Sequence, residues 1–161
     1  MKEEQKSLRL KSLPESIHQL ERLIEEVCDD YNLNHNYLGC ITVALTEAFS
    51  NALVHGNKKN PDKMIDIHFA KTSTGLTFTV KDEGDGFDFN AIPDVKDDGK
   101  EKVFPGRGIF LIKTLADDVN FVGKGNELGI GFKISSINYE TAVDRIKKFK
   151  DYSETAKKTV K

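Results

Sequence analysis

The sequence has few of the features that mark secreted, metal-binding or membrane proteins. Its two cysteines, Cys28 and Cys40, lack CxxC spacing, so we predict buried, reduced thiols rather than a disulfide framework or a metal site. The first ten residues, MKEEQKSLRL, contain no apolar signal segment, and no apolar run approaches the ~20 residues that a membrane span requires. These absences predict a cytoplasmic protein without a membrane segment.

The chain also lacks an excess of charge of either sign. Its 24 basic side chains nearly balance 26 acidic ones, which gives a formal net charge of -2. No global electrostatic field therefore draws the protein to nucleic acid or to anionic lipid, and no direct nucleic-acid partner is predicted. Repeats and low-complexity tracts are absent as well, so any ligand must be recognised locally by particular residues.

A length of 161 residues predicts one domain with a real hydrophobic core. Apolar spacing predicts a strand over residues 8–13, a helix from Pro14 to near Asp30, and a second, well-buried helix capped by Asn34. Alternating segments predict two hairpins, MIDIHFAK with GLTFTVKD and VNFVG with ELGIGFKIS, separated by the helix IFLIKTLADDV. With a charged helix over residues 139–161, this order favours an α+β two-layer sandwich.

The stretch TEAFSNALVHGN, residues 46–57, places two polar side chains inside an otherwise apolar helix. Glu47 and Asn51 are four residues apart, so they lie over one another on one helix face. Asn has poor helix propensity, which suggests that this position serves a function. A half-exposed surface pair is the ordinary alternative. His55 beside Gly56 is better explained as the end of the helix, where the dipole favours His, than as a catalytic group.

Two glycine-rich stretches follow later in the chain. Asp82, Gly84 and Gly86 come directly after a predicted strand, and glycines there let another molecule approach the backbone closely. Gly106 and Gly108 form a loop that opens into a helix, whose free N–H groups and dipole favour phosphate. A strand-end turn and a plain helix-entry loop are the ordinary alternatives. The long polar segment between the two stretches predicts a functional lid or a disordered loop.

The order ExxxNAxxHG, DxGxG and then GxG before a helix resembles the N, G1 and G2 boxes of the GHKL ATPase superfamily. That superfamily includes histidine kinases, DNA gyrase, heat-shock chaperones and mismatch-repair ATPases. The string GRGIFLI and the size of the chain are similar to the anti-sigma factor serine/threonine kinases, and the similarity covers residues 8–134. It implies a Bergerat-type ATP-binding fold with a mixed, mostly antiparallel sheet and helices on one face. The ATP-binding domain would be residues 1–137, followed by a charged helical extension at 138–161.

The resemblance also implies roles for individual residues. Asn51 would bind Mg²⁺ through its amide oxygen, an atom type that this hard cation prefers, and would contact ATP. Glu47 would orient and deprotonate the attacking hydroxyl group. Asp82 would accept a hydrogen bond from the adenine amino group. The glycine boxes would receive the base and the phosphates through Gly84, Gly86, Gly106, Arg107 and Gly108.

The implied function is that of an ATP- and Mg²⁺-dependent serine/threonine kinase that regulates transcription by partner switching. Its partners would be a STAS-type antagonist, which it phosphorylates, and a sigma factor, which it sequesters; the family also implies a homodimer. The alternative is a binding module of the same fold that uses ATP only as a conformational ligand. The ATP-binding domain of a histidine kinase is disfavoured, because no dimerisation segment precedes residue 8 and His18 is better explained as a solvated side chain.

Two positions depart from the family pattern. Family members often carry Gly-Thr in the last-but-one strand, where the Thr hydroxyl supports the adenine-binding Asp, whereas here Gly129 is followed by Ile130. Phe104 and Pro105 precede the G2 glycine, where some anti-sigma kinases have a basic residue. The expectation is that the support for Asp82 is missing and that the affinity for ATP is modest.

Overall fold

The computed structural model describes residues 4–86 and 105–159, and within them the side chains of residues 4–86 and 108–155. Five strands lie in the order of the chain at β1 (Gln5–Lys11), β2 (Met64–Lys71), β3 (Gly75–Lys81), β4 (Asp118–Val122) and β5 (Glu127–Lys133). The helices are α1 (Ile17–Asp30), α2 (His35–Asn51), α3 (Pro105–Leu115) and α4 (Ser135–Thr159), with a 3₁₀ turn at Pro14–Ser16 and a π-helical turn at Ala52–Gly56.

The strands form one sheet in the order β1-β2-β3-β5-β4. Each neighbouring pair is antiparallel, and the two predicted hairpins are β2–β3 and β4–β5. The β3–β5 pairing joins the hairpins, so the strand that precedes Asp82 lies in the middle of the sheet. This arrangement confirms the predicted α+β sandwich.

One face of the sheet carries the hydrophobic core. In β3, Leu76, Phe78 and Val80 are buried while the alternate side chains, Thr77 and Thr79, are partly exposed. This period of two is what a half-buried strand requires. The buried face packs against α1, α2 and α3, which share the core cluster with the sheet and so lie on one side of it.

The helix α2 is the centre of the helical layer. Asn34 caps it as predicted, because its Oδ1 accepts a hydrogen bond from Tyr37 N at 3.1 Å. The helix and the π-helical turn together span 22 residues and are long and apolar enough to cross a membrane. The sequence-based statement that no apolar run approaches this length is therefore wrong. Ile41, Leu45 and Phe49 of this helix are buried in the protein core, which accounts for its apolar composition.

Several boundaries differ from those predicted. The first strand begins at Gln5 rather than at residue 8, because its amino-terminal half pairs with β2 although its outward side chains are polar. The helix α3 begins at Pro105, so Gly106 and Gly108 lie in its first turn and not in a loop before it. Proline is compatible with that position, since the first helical N–H groups have no partner within the helix. The predicted lid falls mostly on residues 87–104, outside the described part of the chain.

The helix α4 contacts the body of the protein near its beginning. Ile137 is 3% exposed, and Thr141 donates from Oγ1 to the carbonyl oxygen of Ser73 in the β2–β3 turn. Farther along, this helix exposes the large apolar side chains of Tyr139, Val143, Ile146, Phe149 and Tyr152. The predicted charged helix is thus present, with apolar side chains among its charges.

Phe78 offers a test of this core. Its ring is fully buried between those of Phe69 and Phe132, at centroid distances of 5.2 and 6.2 Å. Phe78→Ala should lower the free energy of unfolding by about 3–5 kcal/mol, because it leaves a cavity where three rings meet. The neighbouring Thr79→Ala, on the open face, should cost less than about 1 kcal/mol. If urea unfolding showed equal losses of unfolding free energy for the two variants, the assignment of a buried and an open face to β3 would be contradicted.

Candidate nucleotide-binding site

The site is built around the irregular end of α2. At Ala52–Gly56 the helix widens into a π-helical turn, and Asn57 N donates to the carbonyl oxygen of Ala52 at 2.7 Å. Such turns often occur at functional sites, because the extra residue per turn changes the direction of the side chains that follow. Here the turn brings His55 and Gly56 to the rim of a cavity.

The π-helical turn contacts the loop after β3 more closely than any side chain would permit. A Cβ atom on Gly56 would overlap the carboxylate of Asp82, and one on Gly84 would overlap the carbonyl oxygen of Gly56. Both residues must therefore be glycine for the two segments to pack as they do. In the sequence, Gly56 stands at the end of a predicted helix and in the ExxxNAxxHG motif. Its contact with Asp82 is seen only in the structure.

Asp82 directly follows β3, and hydrogen bonds to its backbone and to its carboxylate hold it in place. Its N–H donates to Asn126 O at 2.9 Å, its carbonyl oxygen accepts from Asn126 Nδ2 at 3.0 Å, and its Oδ1 accepts from Gly84 N at 2.8 Å. Burial raises the pKa of this carboxyl group, whereas the Gly84 bond and the charges of Lys124 and Lys63 oppose the shift. A partly desolvated carboxylate of this kind is well suited to accept a hydrogen bond from a ligand.

Between α2, the sheet and the Asp82 loop lies a small cavity of about 90 Å³. Its walls are mainly apolar, and its polar lining is small and comes from three different segments. This combination is typical of a small-molecule site. The lining consists of Ala48, Asn51, Ala52, His55, Gly56, Val80, Asp82, Gly86, Ile109, Phe121, Gly125, Asn126 and Leu128.

Beside the cavity, the first turn of α3 packs against the polar row of α2. A Cβ atom on Gly108 would lie 3.0 Å from Glu47 Oε2 and 3.1 Å from Asn51 Nδ2, so both side chains reach this turn. Within the described part of the chain, Asn51 Nδ2 is buried and has no hydrogen-bond partner. A buried polar atom in that state is costly unless a ligand completes it.

The side-chain oxygens of Asn51 and Glu47 fit a Mg²⁺ ion that is bound mainly through the phosphates of a nucleotide. Described residues contain no group of three or more His, Cys, Asp and Glu side chains that could hold a metal by themselves. Mg²⁺ commonly keeps several waters and takes only one or two protein ligands besides substrate phosphates. The Asn51 carboxamide, with the Glu47 carboxylate beside it, meets that smaller requirement.

The structure brings most of the predicted site residues together. Asn51, Asp82 and Gly86 line the same cavity, and Glu47 adjoins it through Gly108. Gly84 does not line the cavity, but its N–H donates a hydrogen bond to Asp82 Oδ1. Gly106 and Arg107 lie in the first turn of α3, and the Arg107 side chain is outside the described part.

Gly86 and the β4–β5 turn form the remaining edge of the site. Gly86 has φ +80°, and a Cβ atom there would overlap the carbonyl oxygen of Lys124. Gly125, which also has positive φ (+95°), lines the cavity in the same turn. Sequence reasoning treated this turn as an ordinary hairpin connection, and no local signal in it pointed to a ligand.

The sequence-based assignment of Ile130 as the residue beside Asp82 is wrong. Ile130 is fully buried in the core and does not line the cavity. The residue that the strand register sets beside Asp82 is Asn126, which follows Gly125 and bonds to the Asp82 backbone twice. A glycine followed by a polar side chain is therefore present next to Asp82. The sequence shows the strand but not its register against β3.

Comparison with known proteins agrees with this geometry. Residues 10–132 match the histidine kinase-like ATPase domain. The chain belongs to this family. The matched range contains Asn51 and Asp82, which line the cavity, and Glu47 and Gly108, which adjoin it.

Curated relatives carry a more specific name. The chain is 26% identical over 143 residues to the serine-protein kinase RsbW of Oceanobacillus iheyensis, covering 85% of this chain and 89% of that protein. It is 26% identical over 119 residues to the protein of the same name from Listeria monocytogenes, covering 70% and 76% of the two chains. The Bacillus subtilis protein is 25% identical over 122 residues, with coverages of 70% and 74%.

Gly56→Ala tests the contact between the π-helical turn and Asp82. The added methyl group must displace the Asp82 carboxylate, so the dissociation constant for ATP should rise about tenfold or more, the equivalent of one lost charged hydrogen bond. Gly39→Ala is the matched control, because nothing lies within 4 Å of its Cβ position in α2. It should leave ATP binding unchanged and stabilise the protein by about 0.5–1 kcal/mol. Calorimetry that finds unaltered binding in Gly56→Ala would contradict the close contact.

Proposed function

We propose that this protein is an ATP-dependent serine/threonine protein kinase of the anti-sigma factor type. The observation that carries the proposal is the contact of Glu47 and Asn51 with the first turn of α3, beside a cavity that Asp82 also lines. A base, an oxygen ligand for Mg²⁺ and a helix N-terminus that favours phosphate thus meet at one edge of the nucleotide site. The serine-protein kinase names of the relatives support the same reaction.

The proposed reaction transfers the γ-phosphoryl group of ATP to a serine hydroxyl of a protein substrate. The serine oxygen forms a bond to the γ-phosphorus, the bond from that phosphorus to the β,γ-bridging oxygen breaks, and ADP leaves. Glu47 orients the hydroxyl group and accepts its proton. Asn51 would hold Mg²⁺, which would neutralise charge at the phosphates. The α3 N-terminus receives the phosphate oxygens through Gly106, Arg107 and Gly108.

Recognition of the base is assigned to the part of the cavity that contains Asp82. The Asp82 carboxylate matches the amino group of adenine, whereas guanine presents a carbonyl oxygen at that position. Gly86 lines the cavity, whereas Gly84 lies outside it and holds the Asp82 carboxylate in place. The apolar side chains of Val80, Ile109 and Leu128 line the same cavity and would contact the base. Adenine selectivity then follows from the repulsion of a carbonyl oxygen by a partly desolvated carboxylate.

The proposed biological role is partner switching in transcription. The substrate would be a STAS-type antagonist, and the unmodified partner a sigma factor held by the kinase, which acts as a homodimer in the cytoplasm. The relatives' name, serine-protein kinase, supports the kinase part of this assignment. The alternative, a nucleotide-gated binding module without phosphoryl transfer, loses its one sequence argument, because Ile130 lies in the core and not beside Asp82.

Glu47→Gln and Asn51→Ala should fail in different ways. Glu47→Gln keeps the size of the side chain but removes the base, so Mg²⁺-ATP should still bind while phosphoryl transfer falls by roughly 10²-fold or more. Asn51→Ala should abolish Mg²⁺-dependent binding. The measurements are calorimetric titration with ATP and transfer of labelled γ-phosphate to a purified STAS-domain protein from the same genome.

Thr46→Ala serves as the control, because Thr46 bonds within its own helix to the carbonyl oxygen of Val43 and does not line the cavity. It should bind and transfer at nearly the wild-type rate. Transfer by Glu47→Gln at the wild-type rate would show that Glu47 is not the base and would favour the binding-module alternative. Normal binding and transfer in both site variants would exclude the site.

Asp82→Asn tests the recognition of adenine. The substitution keeps an acceptor oxygen but removes the charge and adds a competing donor, so ATP binding should weaken by roughly 1–3 kcal/mol and the preference over GTP should decline. Because burial raises the pKa of Asp82, the wild-type advantage over Asp82→Asn should be full above that pKa and diminish as the pH falls through it. Comparing the two proteins at each pH cancels the titration of the phosphates. A constant difference would place the base elsewhere.

A further inference from the structure

Asn57 is one of the few buried polar side chains among the described residues, with 1% of its surface exposed. It follows Gly56 directly and closes the π-helical turn through its backbone N–H. It does not line the cavity, so it cannot act on a nucleotide by direct contact. A buried carboxamide at this position is costly unless its hydrogen-bonding capacity is used.

The Asn57 side chain is bonded at both ends. Its Nδ2 donates to Ser12 Oγ at 2.7 Å and to the carbonyl oxygen of Met64 at 2.9 Å. Its Oδ1 accepts a hydrogen bond from Glu83 N at 2.7 Å. Ser12 in turn donates to the carbonyl oxygen of Lys63 at 2.6 Å. One carboxamide thus connects the end of α2 with the segment after β1, the start of β2 and the loop after β3.

The bond to Glu83 is the one that bears on the site. Glu83 lies between Asp82 and Gly84, so its N–H belongs to the peptide unit that leaves Asp82. A second contact fixes the same residue from the other side, since the Glu83 carboxylate accepts from Met64 N. The backbone that carries the Asp82 carboxylate is therefore fixed relative to the end of the helix that carries Glu47 and Asn51.

We propose that Asn57 is a positioning residue for base recognition. Its carboxamide fixes the distance between the Asp82 loop, which reads the base, and the polar row of α2, which acts at the phosphates. A bound nucleotide spans a limited range of distances between its base and its phosphates, so adenine reaches Asp82 in good geometry when the two segments keep their separation. This inference rests on the proposed role of Asp82 and adds a residue outside the cavity that determines selectivity.

The test compares two substitutions that both remove buried hydrogen bonds. Asn57→Leu has nearly the same size but loses every side-chain bond, including the acceptor for Glu83 N–H. Ser12→Ala is the matched control, because it removes one Asn57 bond and the bond to Lys63 but leaves Glu83 bonded. Both variants should be less stable in urea. The readout is the ratio of the dissociation constants for GTP and ATP, measured by calorimetry.

Asn57→Leu should lower this ratio about tenfold, whereas Ser12→Ala should keep it at the wild-type value. Asn57→Asp retains the acceptor for Glu83 and should preserve more of the selectivity than Asn57→Leu despite a loss of stability. An unchanged ratio in folded Asn57→Leu would overturn the proposal and limit Asn57 to stability. If the wild-type protein itself fails to prefer ATP, the proposed adenine site fails, which is a distinguishable result.

A measurement on the wild-type protein keeps the proposal testable if Asn57→Leu does not fold. The amide proton of Glu83 should be protected from exchange without nucleotide, because its acceptor is a buried side chain of the same protein. The amide of Asp85, an exposed residue of the same loop, is the internal reference. Free exchange of the Glu83 amide at the rate of Asp85 would overturn the proposal, since the loop would then not be held by Asn57.

Discussion

The contact between the end of α2 and the loop after β3 is the constraint on which the site depends. Gly56 meets the Asp82 carboxylate with no space for a methyl group, and Gly84 meets the carbonyl oxygen of Gly56 in the same way. Two segments that are distant in sequence thus come into direct backbone contact. The carboxylate is thereby immobilised at the wall of the cavity, where a side chain on either glycine would displace it.

Holding polar groups in this position lowers the stability of the ligand-free protein. Burial raises the pKa of Asp82, which means that its charged form is poorly solvated, and Asn51 Nδ2 has no partner within the described residues. Both costs fall on groups that a nucleotide with Mg²⁺ would complete. A site prepared in this way needs little rearrangement when ligand arrives, so more of the contact energy is available for affinity. The wider core, including the Phe69, Phe78 and Phe132 rings, supplies the compensating stability.

Much of the fold could be predicted from the sequence, because the signals are local. The period-two pattern of β2 and β3 and the Asn34 cap of α2 depend on neighbours within a few residues. The polar pair on α2 was also visible, since its spacing alone places both side chains on one face. The support of Asp82 by Asn126 was not, because it depends on the register of β5 against β3. The bond from Asn57 to Glu83, 26 positions apart, likewise has no local signal.

The division of the candidate site between two segments allows the helix α2 to form part of the core and also to carry the proposed catalytic residue. The buried faces of Ile41, Leu45 and Phe49 fix α2 against the sheet, and this anchoring is what makes the row of Glu47 and Asn51 rigid. The proposed base recognition lies instead on the loop after β3, which has few apolar anchors of its own and is held in position by Gly56 and Asn57. In the proposed function, chemistry at the phosphates and selectivity for the base are therefore carried by different residues on different segments. The junction at residues 56–57 joins the two segments, so a substitution of Asn57 is expected to act on selectivity without touching a group that meets the phosphates.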